Sequence, residues 1–159
     1  PYEVHSNFRL FRDSILLIDE GQKQVSSSLG HNLMHNHPFA EKRFQQADEN
    51  ILKLKSILIS GDYEAFFALV ESEALSLHAM MMTSSPYFIL MQPNTLQVIE
   101  KIWEFRKKEN VHLGFTLDAG ANVHLLYPES SEPMVRPFID SQLLSFCVNN
   151  KVIHDQIQF

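Results

Sequence analysis

The hydrophobic pattern of this 159-residue chain predicts a mixture of strands and helices. A short apolar run bounded by acids, residues 13–19, is typical of a buried strand. Two further apolar runs within residues 112–127, separated by a loop of small residues, predict a β-hairpin, and residues 152–159 predict a closing strand. The segments between them carry apolar residues at three- and four-residue steps, which is the spacing of one face of a helix.

Four main helices follow from that spacing, with a shorter one starting near Ser28. The first covers residues 41–59 and ends at Gly61, and the second starts after Asp62, a favoured N-cap residue, and runs to about Met81. Asn94 or Thr95 is expected to cap the third helix, and the fourth follows a turn at 128–133. The residues expected to face the core are, in the first helix, Phe44, Ala47, Ile51, Leu54 and Leu58; in the second, Tyr63, Phe66, Val70, Ala74, Leu77 and Met81; in the third, Leu96, Ile99, Ile102 and Trp103; and in the fourth, Val135, Phe138, Ile139, Leu143 and Phe146.

The order of these elements predicts the fold class. A strand, several helices, two strands, a helix and a strand fit a split βαβ plan, in which helices pack on one face of an antiparallel sheet. We therefore predict an α+β domain of the ferredoxin-like kind. There is no internal repeat and no linker long enough to separate two domains, so residues 1–159 are predicted to form a single domain.

Composition narrows the possible functions and the expected compartment. The net charge of −6 argues against a nucleic-acid surface, which needs clustered Lys and Arg. No apolar run approaches the ~20 residues that span a bilayer, so no membrane association is predicted. The single cysteine, Cys147, excludes an internal disulfide and is compatible with a reducing cytoplasm. Because it lies in an apolar helical pattern, we expect a buried structural thiol rather than a nucleophile.

The segment FTLDAGANVHLLYP at 115–128 is the strongest candidate for chemistry. Asp118 stands at the bend between two apolar runs and is followed by Ala119, Gly120 and Ala121. A carboxylate on a loop braced by two strands is suited to general-base catalysis, and Gly120 can adopt a positive φ and let a ligand approach the backbone closely. The alternative, equally weighted on local pattern, is that Asp118 only caps a hairpin turn.

A run of serines, Ser26 to Ser28, is the second candidate site. At a helix N-terminus, their hydroxyl groups and free backbone N–H groups can bind an anion such as phosphate or carboxylate, although N-capping by one serine explains the position as well. His31, His35 and His37 are too poorly matched by Cys or acidic residues to predict a metal site. The five glycines do not form a GxGxxG or Walker loop, so no cofactor-binding loop is predicted.

Three segments together resemble one family. KQVSSSLGH at 23–31, LHAMMMTSSPYF at 77–88 and FTLDAGANVHLLYP at 115–128 are similar to the C-terminal half of mevalonate diphosphate decarboxylase, of the GHMP kinase superfamily. The resemblance extends from about Asp13 to the end of the chain. It implies a ferredoxin-like C-terminal domain of a longer enzyme, and the start at Pro1 without a methionine fits that expectation.

The resemblance implies a reaction and roles for individual residues. Such an enzyme uses ATP and Mg²⁺ to convert mevalonate diphosphate into isopentenyl diphosphate, phosphate and CO2, in isoprenoid biosynthesis. The catalytic acid corresponds to Asp118, the substrate-binding residues correspond to Ser26 and Ser27, and Ala119 and Gly120 belong to the same motif as Asp118. ATP and Mg²⁺ would be bound mainly by an N-terminal domain that this chain lacks, so the 159 residues alone are expected to be inactive.

The chain departs from the family pattern at two positions, and alternative functions also remain. Ala121 replaces a proline, which predicts a less rigid loop, and His31 replaces a methionine, which alters the expected pocket. The resemblance also implies a homodimer. A related mevalonate-type kinase, a decarboxylase of the monophosphate, and a non-catalytic interaction module in which Asp118 stabilises a turn are the alternatives.

Overall fold

A computed structural model of the chain describes residues 3–21 and 36–157. The strands are β1 (Phe11–Leu16), β2 (Gly114–Leu117), β3 (Val123–Pro128) and β4 (Val152–Ile157). The α-helices are α1 (Ala40–Ser60), α2 (Tyr63–Met82), α3 (Pro93–Glu109) and α4 (Glu132–Phe138). Single helical turns occur at Ser6–Phe8, Glu129–Ser131, Ile139–Leu143, Leu144–Phe146 and Val148–Asn150.

The four strands form one antiparallel sheet in the order β2-β3-β1-β4. In the register of the central strands, Ser14 of β1 is opposite Leu125 of β3 on one side and His154 of β4 on the other. β2 pairs with β3 alone, with Phe115 opposite Leu125, so β2 is an edge strand. The predicted α+β class with an antiparallel sheet is confirmed. The first strand lies slightly earlier than the predicted 13–19, because it begins at Phe11 and ends at Leu16.

One face of the sheet carries the main hydrophobic core. Alternate residues of the strands are buried there against α3 and the C-terminal helical segment. The fully or almost fully buried members are Leu16, Phe115, Val123, Leu125, Tyr127, Val98, Ile99, Ile102, Val135, Phe138, Ile139 and Leu143. Full burial of one such aliphatic or aromatic side chain contributes about 1.5–3 kcal/mol, so this layer is the main source of stability.

The opposite face of the sheet is only partly covered. Phe11 and Leu126 pack there with Phe67 of α2 in a second, aromatic cluster. Phe67 approaches the strand closely because Gly114 has no side chain: a Cβ there would lie 2.4 Å from Phe67 Cδ1. Four other residues on this face are half-buried, and they are Asp13, Ile15, Thr116 and His124, whereas Ile153, Asp155 and Ile157 of β4 are exposed on it. This less covered part of the sheet is where the candidate site lies.

α2 buries a stripe that is rotated from the predicted one. Its buried residues are Phe67, Glu71, Ala74, His78, Met80 and Met81. Ala74 and Met81 were predicted, whereas Tyr63, Phe66, Val70 and Leu77 are only half-buried. The prediction was wrong because two positions of the real stripe, Glu71 and His78, are polar and do not contribute to a hydrophobic pattern.

α1 has little apolar contact with the rest of the fold. It ends at Gly61 with φ 79°, as predicted, but Phe44 and Ile51 are 55% and 53% exposed, so their predicted burial is wrong. Asn50 is its one buried residue and donates to Glu73 Oε1 at 2.6 Å. Polar contacts between α1 and α2 therefore replace much of the apolar contact that the periodicity predicted.

The N-cap of α3 lies two residues before Asn94 and three before Thr95, the two predicted caps. Its N-cap is Gln92, and Pro93 occupies the first helical position, where its missing N–H costs nothing. Thr95 lies inside the first turn and accepts a hydrogen bond from Gln92 N at 3.1 Å. Leu96 and Trp103 are 49% and 39% exposed rather than buried, and the buried face is formed by Thr95, Val98, Ile99 and Ile102.

The predicted C-terminal amphipathic helix is divided into short pieces. α4 ends at Phe138 and a π-helical turn follows at Ile139–Leu143. Pro137 lies within α4 and has no N–H to donate, which disfavours a continuous helix. The predicted burial of the stripe is confirmed for Val135, Phe138, Ile139 and Leu143, and Phe146 is half-buried.

α2 is long and apolar enough, by length and composition alone, to cross a membrane, contrary to the sequence-based expectation. The core helix of a domain meets the same criteria, and here the two polar residues of the buried stripe, Glu71 and His78, both bond to other parts of the fold. Such bonds are expected of a helix packed within a domain.

Candidate functional site

A cleft of about 180 Å³ opens at the end of the β2–β3 hairpin. Four parts of the chain line it: the end of β1 with residues 19–21, the loop before α3 at 89–92, the hairpin loop 118–122, and His124 of β3. Asp118, Ala119 and Gly120 all border it, so three of the predicted site residues lie together. The other two, Ser26 and Ser27, lie outside the described residues, as do His31 and His35.

The hairpin loop is held by hydrogen bonds from three different elements. His78 Nε2 of α2 donates to the Asp118 carbonyl oxygen at 3.0 Å. Thr95 Oγ1 of α3 donates to the Ala121 carbonyl oxygen at 2.7 Å. Asn122 Oδ1 accepts from the backbone N–H of Asp19 at 3.0 Å. This loop is therefore held at three points, two backbone carbonyls and the Asn122 side chain, as a functional loop must be to hold a side chain in one position.

The Asp118 side chain itself is exposed at the cleft. The hydrogen bond across the turn is made by backbone atoms, from Gly120 N to Asp118 O at 2.7 Å. Within the described part of the chain, the carboxylate accepts no hydrogen bond, so it does not cap the turn. The structural alternative for Asp118 loses its main support, and the carboxylate is left available to a ligand.

Gly120 borders the cleft without a left-handed backbone. Gly61 is the one described glycine with a positive φ, so Gly120 does not use the left-handed conformation that a glycine allows. A Cβ placed on Gly120 would meet no atom within 4 Å. Its absent side chain leaves open space beside the cleft, whereas Ala119 packs against the small cluster of Met81 and Leu90.

Gly120→Ala is expected to leave the free energy of unfolding unchanged to within about 0.5 kcal/mol, because the new methyl group meets no neighbour. Gly114→Ala is the matched control and is expected to cost about 1–3 kcal/mol, because its methyl group would overlap Phe67. Urea unfolding of both variants measures the difference. A loss for Gly120→Ala as large as that for Gly114→Ala would contradict the open geometry.

His78 is a site residue that the sequence pattern did not reveal. It is 1% exposed and its ring bonds the peptide of Asp118, which requires Nε2 to carry the hydrogen. Burial lowers the pKa of His78, and the bond to the Asp118 carbonyl opposes this shift. The neutral ring contributes stability above its unfolded pKa near 6.5, and that contribution is lost as pH falls through the lower folded pKa.

A second unpredicted feature is an ion pair at the edge of the cleft. His124 Nδ1 lies 2.8 Å from Asp13 Oδ2, and the two residues are 111 positions apart in the chain. The hydrogen bond to Asp13 raises the pKa of His124; burial opposes this, and the charges of Asp13 and Asp118 add to it. No local signal identifies this pair, because only the β1–β3 register brings the two side chains together.

Two other predicted positions have structural contacts. Cys147 is buried as expected, and burial raises the pKa of its thiol to about 11. The buried ring of His37 donates from Nε2 to the Met80 carbonyl oxygen at 2.9 Å.

The described residues do not fit a nucleotide and its metal ion on their own. None of them forms a group of three or more His, Cys, Asp or Glu side chains placed to hold a metal. No lysine or arginine lines the cleft around Asp118. Triphosphate and Mg²⁺ binding needs such groups, so these described residues would not hold the nucleotide and its metal ion by themselves.

The family model for the mevalonate 5-diphosphate decarboxylase C-terminal domain matches residues 14–157. A phosphomevalonate decarboxylase of Haloferax volcanii is 32% identical over 90 residues, which cover 57% of this chain and 28% of that protein.

Two solved structures resemble the fold. The mevalonate diphosphate decarboxylase of Staphylococcus aureus has a TM-score of 0.85 at 24% identity, and the match covers 99% of this chain and 47% of that one. The enzyme of Enterococcus faecalis, described for ATP binding mediated by mevalonate diphosphate, has a TM-score of 0.79 at 18% identity over 95% and 43% of the two chains. The chain therefore spans less than half the length of each of these three proteins.

Proposed function

This chain belongs to the family of mevalonate 5-diphosphate decarboxylase C-terminal domains, and we propose that it forms the C-terminal domain of an ATP-dependent decarboxylase of a phosphorylated mevalonate. The observation that carries the proposal is the Asp118 carboxylate. It is exposed at a cleft and makes no hydrogen bond within the described residues, on a loop that three elements hold in place.

In the proposed reaction Asp118 is the general base. It accepts the proton of the tertiary 3-hydroxyl group of the substrate as that oxygen attacks the γ-phosphate of ATP, which supplies the phosphoryl group. The phosphorylated carbon then loses phosphate and acquires positive charge. The electron pair of the breaking bond to the carboxylate forms the new double bond, so that CO2 leaves. The products are isopentenyl diphosphate, ADP, phosphate and CO2.

The remaining contacts divide between this domain and the rest of the proposed enzyme. Ser26 and Ser27 hold the anionic groups of the substrate, and the substrate lies along Ala119 and Gly120. ATP and Mg²⁺ bind mainly to an N-terminal domain outside these 159 residues. The open space beside Gly120 supports the substrate assignment.

The monophosphate is the second candidate substrate, because a phosphomevalonate decarboxylase is 32% identical to this chain over 90 residues. A mono- and a diphosphate differ in charge and in length at the end remote from the reacting carbon. Asp118 acts on the 3-hydroxyl group of either one, so the base alone does not select between them.

The experiment that tests the proposal uses the full-length enzyme with ATP, Mg²⁺ and substrate labelled at its carboxyl carbon. Release of labelled CO2 together with ADP is expected, and the ratio of kcat/KM for the diphosphate and the monophosphate identifies the substrate. ADP formation without CO2 would identify a kinase instead. Absence of both products with either substrate would contradict the proposal.

The setting of the enzyme is also part of the proposal. We infer a cytoplasmic homodimer. The single buried cysteine supports a reducing compartment, and the exposed apolar side chains of α1, among them Phe44, Ile51, Leu52 and Ile59, support burial against another protein surface.

A further inference from the structure

The cleft beside Asp118 has an unusual charge composition for the site of an anionic substrate. Two of its lining residues, Asp118 and Asp19, carry carboxylates. Of the described residues that line it, His124 is the one whose side chain can become positive. An anion that binds here next to two carboxylates needs a cationic partner, since unscreened like charges at short range repel strongly.

His124 is built into the fold in a way that suits this task. Its Nδ1 donates to Asp13 Oδ2 at 2.8 Å, and both side chains are only about one-quarter exposed, at 21% and 25%. The other oxygen of Asp13, Oδ1, is buried and has no hydrogen-bond partner in the described part of the chain. Among the described residues, the Asp13 carboxylate therefore accepts from His124 alone, and this bond fixes the orientation of the His124 ring. The hydrogen bond made by one ring nitrogen commonly orients a functional histidine in this way.

The opposite nitrogen of the same ring is unused. Nε2 of His124 makes no hydrogen bond to any of the residues at 3–21 and 36–157, although the ring borders the cleft. Because Nδ1 carries a hydrogen toward Asp13, a protonated ring presents Nε2–H as a charged donor. Charged donors bind phosphate and carboxylate oxygens more strongly than neutral ones do.

We propose that His124, oriented by Asp13, is an anion-binding residue of this cleft and holds a phosphate or carboxylate oxygen of the ligand beside Asp118. The proposal rests on the proposed function for the identity of that ligand, a phosphorylated 3-hydroxy acid. It adds a contact on β3, six residues after Asp118, at a position that pairs with Ile15 of β1.

The charged groups around His124 define how binding depends on pH. Asp13 faces it from β1, Asp118 from the hairpin loop and Asp19 from the segment after β1, while Thr116 is opposite it on β2. The acids favour the protonated ring, and the pKa of His124 is raised. The protonated ring is therefore fully present below pH ~6.5, and its contribution to anion binding is lost as pH rises through the folded pKa.

The test measures affinity rather than turnover, on the full-length enzyme. Calorimetry gives Kd for inorganic pyrophosphate and for mevalonate, which carries a carboxylate but no phosphate, in wild type and in His124→Gln. In His124→Gln we expect Kd at about pH 6 to be roughly tenfold or more above that of wild type, since a charged hydrogen bond is lost. For each probe, the ratio of the His124→Gln Kd to the wild-type Kd should approach one at high pH. Taking the ratio at each pH cancels the ionisation of the probe.

Two further variants separate the proposed contact from general damage. Asp13→Asn keeps the ring and removes its charged partner, so the loss of affinity with rising pH should begin at a lower pH. His154→Gln is the matched control, because His154 also flanks β1 but bonds Ser14 on the opposite face, and its Kd values should equal those of wild type.

Each result decides the matter. A rise in Kd for pyrophosphate assigns His124 to the phosphate end of the ligand, and a rise for mevalonate alone assigns it to the carboxylate. Unchanged values in both His124→Gln and Asp13→Asn, equal losses in His154→Gln, or no binding of either probe to wild type would overturn the inference. An enzyme that binds these anions through His124 but releases no CO2 would remove the proposed function and leave the anion site.

Discussion

Asp118→Asn in the full-length enzyme is expected to lower kcat for CO2 release by about 10²–10⁴-fold, the usual contribution of a general base. The amide has nearly the shape of the carboxylate but cannot accept the proton of the 3-hydroxyl group. KM should change little, because the base acts mainly in the transition state. The measurement is steady-state release of labelled CO2 at saturating ATP.

The same substitution should not affect folding. The Asp118 carboxylate makes no hydrogen bond within the described residues, and the bonds that hold the loop use its backbone. Removing an exposed, unpaired charge typically changes the free energy of unfolding by less than about 0.5 kcal/mol. Unchanged turnover combined with lower stability would assign Asp118 a structural role and would support the non-catalytic interaction module.

Asp19→Asn is the matched control for charge. Asp19 borders the same cleft, so its replacement removes an equal charge from the same space. Its carboxylate already accepts a hydrogen bond from Gly21 N at 2.7 Å, so one of its oxygens is occupied, unlike those of Asp118 within the described residues. We expect kcat for CO2 release to fall by less than about tenfold, which is well below the fall expected when a general base is missing. An equal fall in kcat for Asp118→Asn and Asp19→Asn would mean that the negative charge of the cleft, rather than a base at Asp118, governs the rate.

The parts of this fold that the sequence predicts are those whose signal is local. The hairpin, the acid at its bend and the Gly61 and Asp62 boundary between α1 and α2 each depend on a few neighbouring residues. Asp62 Oδ1 accepts from Ala65 N at 3.0 Å, as an N-cap residue should. The resemblance to a family rests on short motifs of the same local kind.

The predictions fail where burial is decided by partners distant in sequence. Phe44 and Ile51 lie on an apolar face of α1, but periodicity does not say whether anything covers that face. His78 lies within an apolar segment that predicts only core packing, and its role depends on the carbonyl of Asp118, 40 residues away. The pair of Asp13 and His124 exists only in the register of two strands, which a single sequence leaves open.

Glu71 is the second residue for which a large effect is expected, and its effect is on stability. It is 6% exposed on α2 and accepts hydrogen bonds from Trp103 Nε1 at 2.9 Å and from Arg106 at 2.7 and 3.2 Å. It also accepts from the backbone N–H of Phe115 at 3.3 Å, and Arg106 donates to the Leu113 carbonyl oxygen at 3.1 Å. The two side chains thus bond one N–H of the edge strand β2 and the carbonyl that precedes this strand, groups that a sheet edge otherwise leaves open to other strands.

Glu71→Leu should therefore lower the free energy of unfolding by about 3 kcal/mol, measured by urea denaturation. Removing one member of a buried pair leaves the guanidinium, the indole N–H and the strand N–H without their acceptor, which typically costs about 3–5 kcal/mol. We expect the lower end of that range because the Arg106 side chain is 32% exposed, so that water can replace part of the lost bonding.

Glu73→Leu on the same helix is the matched control. Glu73 also pairs with an arginine, Arg43 at 2.5 Å, but it is 32% exposed and joins α1 to α2 rather than closing a strand edge. A loss of about 1 kcal/mol or less is expected for such a partly exposed pair. The two substitutions remove the same charge and add the same side chain. They differ in the exposure of the acidic side chain, 32% for Glu73 against 8% for Glu71, and in its partners, which are Arg43 and Asn50 for Glu73 and Arg106, Trp103 and β2 for Glu71. A loss for Glu71→Leu no larger than that for Glu73→Leu would show that α2 is held against β2 by its apolar contacts, and that the polar network contributes nothing beyond an ordinary surface pair.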